Sequence, residues 1–105
     1  MTNTENAKGQ HRPFPFDLFA EGNVGDWQFT ADDMSVTIRT PNGTPEGSLG
    51  SLLLKPKRDW RGIDLETWQW DGNREAPTFT PSILHTGADG VVWHGYMTKG
   101  ELISC

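Results

Sequence analysis

The side chains best suited to chemistry lie toward the end of the sequence: His94, the single cysteine Cys105, and the serines Ser82 and Ser104. Val91 to Met97 alternates, so Val92, His94 and Tyr96 share one face and Val91, Trp93 and Met97 the other. Gly95 removes a side chain beside His94 and permits close approach by another strand or a ligand. If Cys105 pairs alongside, a histidine and a cysteine from adjacent strands offer two metal ligands. A structural zinc site needs four, and the remaining histidines are His11 in the N-terminal tail and His85 before a turn. The expectation is therefore no metal and no cofactor, with His94 and Cys105 as the ligands if any metal binds. His94 reads as a sheet-face histidine hydrogen-bonded to a neighbour.

Nucleophilic catalysis has less local support. Ser82 and Ser104 lack a G-x-S-x-G elbow, and no nearby residue pattern supplies an activating base. Cys105 closes the chain, and an adjacent α-carboxylate disfavours its thiolate. Asp59, Asp64, Glu66 and Asp71 read as a solvated surface, although spacing alone leaves their convergence open. Gly43, Gly47 and Gly50 match neither a dinucleotide nor a Walker phosphate loop. Lys55, Lys57, Arg58 and Arg61 form the basic cluster, and a solvated loop explains it. Residue chemistry alone thus points to a non-enzymatic protein.

The elements that must position these residues are strands and turns. Trp27–Thr30 and Ser35–Thr40 alternate around Ala31-Asp32-Asp33 and read as a hairpin. Residues 41–47 are a loop, Leu49 to Leu54 a mostly buried strand, and residues 57–62 a second loop carrying Trp60. Leu65 to Trp70 alternates and sets Trp68 and Trp70 on one face. Thr78 to His85 is extended, with Pro81 marking an edge or a bulge. Turns at Gly87–Gly90 and Thr98–Gly100 then lead into Val91–Met97 and Glu101–Cys105, a three-stranded antiparallel meander. No segment of ten or more residues carries a helical period. The expected fold is all-β, a small antiparallel sandwich or partly open barrel of about six to eight short strands with an extended N-terminal arm.

Three regions follow. Residues 1–12 hold no large apolar side chain after Met1 and read as a flexible arm. Residues 13–25 are an extended aromatic segment and linker, and residues 26–105 a single β domain. The aromatic segment is costly to leave in water, and it either packs over the domain's own core or docks on another chain; Phe14, Phe16, Leu18 and Phe19 are the expected contact for a protein partner or a second copy of the chain. At 105 residues the chain suffices for one core, and five tryptophans and five phenylalanines offset an apolar content of only 34%. A net charge of −5 argues against nucleic acid, and no apolar run spans a bilayer. One cysteine excludes an internal disulfide and fits a reducing compartment.

Trp70-Asp71-Gly72-Asn73, Pro77-Thr78-Phe79-Thr80-Pro81-Ser82-Ile83 and Trp93-His94-Gly95-Tyr96, followed by Gly100 and Cys105, carry a resemblance. Over residues 65–105 the chain resembles a family of small proteins of unknown function common in bacteriophages and prophages. Some of them bear the label ammonia monooxygenase, an activity that the lack of a copper-ligand set makes untenable here. Members carry cysteines in an upstream turn and ahead of W-H-G, which implies a metal site for them. This chain has Thr40-Pro41-Asn42-Gly43 and Val91-Val92 at those places, which leaves His94 and Cys105. The resemblance implies a virion accessory role, in capsid decoration or at the head–tail junction, with synthesis in the host cytoplasm. Two rivals stand beside it: an inhibitor of a host defence complex, for which only Asp32-Asp33 pairs acids, and a metal-binding domain or enzyme centred on His94 and Cys105.

Overall fold

The computed structural model describes residues 2–42, 47–87 and 90–105. Among them are ten strands and one short helix. In chain order these are β1 (Thr2–Asn3), β2 (Ala7–Lys8), α1 (Leu18–Glu21), β3 (Trp27–Phe29), β4 (Ser35–Thr40) and β5 (Ser48–Leu53), followed by β6 (Gln69–Trp70), β7 (Phe79–Thr80), β8 (Ile83–Thr86), β9 (Val92–Thr98) and β10 (Glu101–Ser104). The fold is all-β, as the alternation of apolar and polar residues requires.

β8, β9 and β10 form an antiparallel meander within a five-stranded sheet that β1 and β2 complete, with β8 paired to β9. Ile83 pairs with Gly95 and Leu84 with His94 on one side of β9, while Tyr96 pairs with Ile103 and Gly95 with Ser104 on the other. Lys99 and Gly100 take positive φ at the second turn, where Gly100 suits a left-handed backbone. The first turn, expected over Gly87–Gly90, includes Ala88 and Asp89, which lie outside the described residues; so do residues 43–46 of the loop expected over 41–47.

β3, β4 and β5 make a second antiparallel sheet, and β6 and β7 a two-stranded ribbon. The inner faces of both larger sheets meet in one cluster. Trp27, Phe29, Val36, Ile38 and Leu52 come from the second sheet, and Ile83, Trp93, Met97 and Leu102 from the first, with Phe79 between. Large rings supply the burial that a low apolar content would otherwise deny. Each buried indole N–H is paired: Trp27 donates to the Arg74 carbonyl and Trp93 to the Glu5 carbonyl, both at 2.8 Å.

Two segments depart from the expected organisation. Residues 2–3 pair in parallel with Val92 and Trp93, and residues 7–8 pair with Leu102 and Glu101. Backbone pairing needs no apolar side chain, which is why composition gave no sign of it. The aromatic segment is not extended throughout: Asp17 caps α1 by accepting from the Ala20 N–H at 2.9 Å. One turn of helix is too short to leave a period in the sequence.

Candidate functional site

β9 presents its side chains alternately, Trp93, Gly95 and Met97 inward and His94, Tyr96 and Thr98 outward. His94 therefore stands on the outer face of the five-stranded sheet, half-buried between its neighbours. Gly95 is obligatory beside it: a Cβ there would lie 2.2 Å from the Ile103 carbonyl and 2.7 Å from the Trp93 ring. The close approach expected at this glycine is made by β10 and by the indole of Trp93.

Ser82 precedes β8 by one residue. Extending the pairing of Ile83 with Gly95 sets Ser82 opposite Tyr96 and diagonal to His94, on the same face. A long imidazole spans that diagonal to a short hydroxyl, and Ser82 Oγ lies 2.9 Å from His94 Nε2. The Trp68 indole donates to the Ser82 carbonyl at 3.3 Å and holds the backbone there. On the other flank Cys105 follows β10 and lies opposite His94, its N–H donating to the His94 carbonyl at 3.1 Å. Its sulfur is 3.3 Å from His94 Nδ1. Three strands thus place a hydroxyl, an imidazole and a thiol in one row across the sheet.

No local pattern supplies Ser82 with a base; the imidazole beside its hydroxyl is twelve residues away in sequence and one strand away in space. When Ser82 donates to Nε2, the Nδ1–H is left to donate to Cys105 sulfur. That is the arrangement of an activated nucleophile: hydroxyl, base, and a third group oriented behind the base.

The other candidates are placed elsewhere. His85 faces away from the row, with its Nδ1 hydrogen-bonded to Thr40 Oγ1, and burial pushes its imidazole below the ordinary histidine value. Asp59 is engaged by Arg61, which holds its carboxyl below the usual range, and Asp64 by Arg58. Asp71 accepts from the N–H groups of Asn73 and Thr78 in a local turn. Ser104 is turned toward the N-terminal segment, donating to the Thr4 carbonyl at 2.8 Å. His94 and Cys105 are brought together as the metal reading required, but among the described residues no group of three or more histidine, cysteine or carboxylate side chains is placed to hold an ion. Of the aromatic segment, Phe14 and Phe19 are 79% and 75% exposed, Phe16 lies under the Arg12 guanidinium, and Leu18 is buried at 4%.

Residues 48–105 match the family model described as "Bacterial ubiquitination-like system serine protease (BubE)". The match spans more than half of the chain and contains Ser82, His94 and Cys105. The chain belongs to the BubE family. No curated protein and no solved structure matches it. BubE membership overturns the expectation of a virion-associated binding module, whether capsid-decorating or head–tail, and with it the defence-inhibitor alternative. The motifs behind the phage resemblance fall inside the span that BubE matches.

Proposed function

We propose that this chain is a serine hydrolase of peptide or isopeptide bonds acting within a bacterial ubiquitination-like system, with Ser82 as nucleophile and His94 as general base. The observation that carries the reading is the 2.9 Å contact between Ser82 Oγ and His94 Nε2, inside the residues matched to a serine protease family. In the first step Ser82 Oγ bonds to the substrate carbonyl carbon while its proton passes to Nε2. Collapse of the tetrahedral adduct breaks the carbon–nitrogen bond, and the imidazolium returns that proton to the departing amine. Water, deprotonated by the same nitrogen, then bonds to the acyl carbon; collapse breaks the carbon–Oγ bond, and the imidazolium returns the proton to Ser82 Oγ as the carboxylic acid departs.

The site's place on an open sheet face suits a polypeptide substrate. Leu84, 68% exposed and paired with His94, and Tyr96, opposite the Ser82 position, flank the dyad on the same face. A protein segment laid across this face covers both and excludes water from the reacting atoms.

The test uses a fluorophosphonate, which phosphonylates activated serines. Intact-mass and peptide mapping should find one adduct, on Ser82. S82A should abolish it, and H94A should slow it by about 10²-fold or more, as removal of a general base does. An unlabelled wild-type protein, or an adduct that persists in S82A, overturns the assignment.

A further inference from the structure

We propose that Cys105 is the positioning residue of this site, holding His94 in the tautomer that Ser82 needs. The inference rests on the reading of Ser82 and His94 as nucleophile and base, and concerns what orients the base.

An imidazole serves as base to Ser82 only while Nε2 is unprotonated, which requires the proton to sit on Nδ1. In solution neutral imidazole of histidine favours the opposite tautomer, so an acceptor at Nδ1 is required to reverse the preference. Among the described residues the ring's hydrogen-bond partners are Ser82 Oγ at Nε2 and Cys105 Sγ at Nδ1, 3.3 Å away. When His94 takes the serine proton, the Nδ1–H to sulfur bond also stabilises the imidazolium; Cys105 itself gains and loses no proton in the step.

The position of that sulfur is built rather than incidental. The Cys105 N–H is bonded to the His94 carbonyl, which continues the β9–β10 ladder through the row. Immediately before it, the Ser104 N–H donates to Asn6 Oδ1 at 2.9 Å and the Ser104 hydroxyl to the Thr4 carbonyl. The N-terminal segment thereby fixes the strand that delivers Cys105. Sulfur is a weaker acceptor than a carboxylate, so a carboxylate placed there should do the same work.

The experiment compares wild type, C105A and C105D by two readouts. The first is the His94 tautomer from long-range proton–nitrogen NMR. The second is the rate of fluorophosphonate labelling at Ser82, with S82A as the control. Wild type should show the Nδ1–H form. C105A should move His94 toward the Nε2–H form and slow labelling at least about 10-fold, and C105D should restore both. An unchanged tautomer in C105A overturns the proposal. So does a loss of labelling that C105D fails to restore, because that marks a merely structural role. Labelling that survives in S82A instead sinks the Ser82 reading, while the tautomer still reports whether Cys105 orients His94.

Discussion

His85 and His94 lie on one hairpin and are set to opposite uses by the side of the sheet they face. His85 packs beside Gly50, hydrogen-bonds Thr40, and is held below the ordinary histidine value by burial. The neutral form is the one the fold accepts. As pH falls through the ordinary histidine range, near 6.5, the unfolded chain binds a proton first and stability is lost until the folded pKa is passed. The urea midpoint should therefore drop between pH 7.5 and pH 5.5, and H85Q, which keeps a partner for Thr40, should flatten that dependence. Asp33, lowered by its Arg74 partner, also gives up stability on acidification, but in the carboxylate range near 4. The two windows separate the histidine from the carboxylates.

At the scale of elements, the site depends on strands far apart in sequence. β8 supplies the backbone leading from Ser82, β9 carries His94, and β10 delivers Cys105. β1 and β2 lie against the last two, and Glu5 between them supplies the carbonyl that is the partner of the buried Trp93 indole. Deleting residues 2–8 strands that N–H in the core and should cost on the order of 1–3 kcal/mol, read as a lower urea midpoint. It should also slow fluorophosphonate labelling of Ser82, because Ser104 loses Thr4 and Asn6 and the end of β10 is released. A truncated protein with unchanged stability and labelling would show that these strands position nothing.

At the scale of the molecule, the family match and the folding unit do not coincide. The match begins at residue 48, yet Trp27, Phe29, Val36 and Ile38 of the shared core come before it. Trp27 is also tied forward to the Arg74 carbonyl, and its backbone pairs with Gln10 and Arg12. Loss of a single buried aromatic costs about 3–5 kcal/mol, comparable to the whole stability of a small domain. The isolated fragment 48–105 should therefore be unfolded, with collapsed amide dispersion by NMR and no fluorophosphonate adduct. A dispersed spectrum from that fragment would relocate the core.

The sequence by itself determined the class of fold, the meander of the last third and the two faces of β9, because these follow from alternation and turn chemistry within one segment; that glycine is required at 95 was decided by the β10 carbonyl packed against it. It also brought His94 and Cys105 to attention. It could not assign Ser82 a base, since that depends on register between β8 and β9. Pairing by residue number places Ile83 against Gly95 and Ser82 on the His94 face. A slip of one residue would set Ser82 opposite Gly95 and turn it to the other side, and the turn that decides between them leaves no unambiguous mark in the sequence. The pairing of the N-terminal segment was hidden for a related reason, because backbone hydrogen bonds carry no side-chain signature. Only the tertiary structure decided which hydroxyl, which imidazole and which sulfur would meet, because their meeting is fixed by the packing of whole strands rather than by any neighbour in the chain.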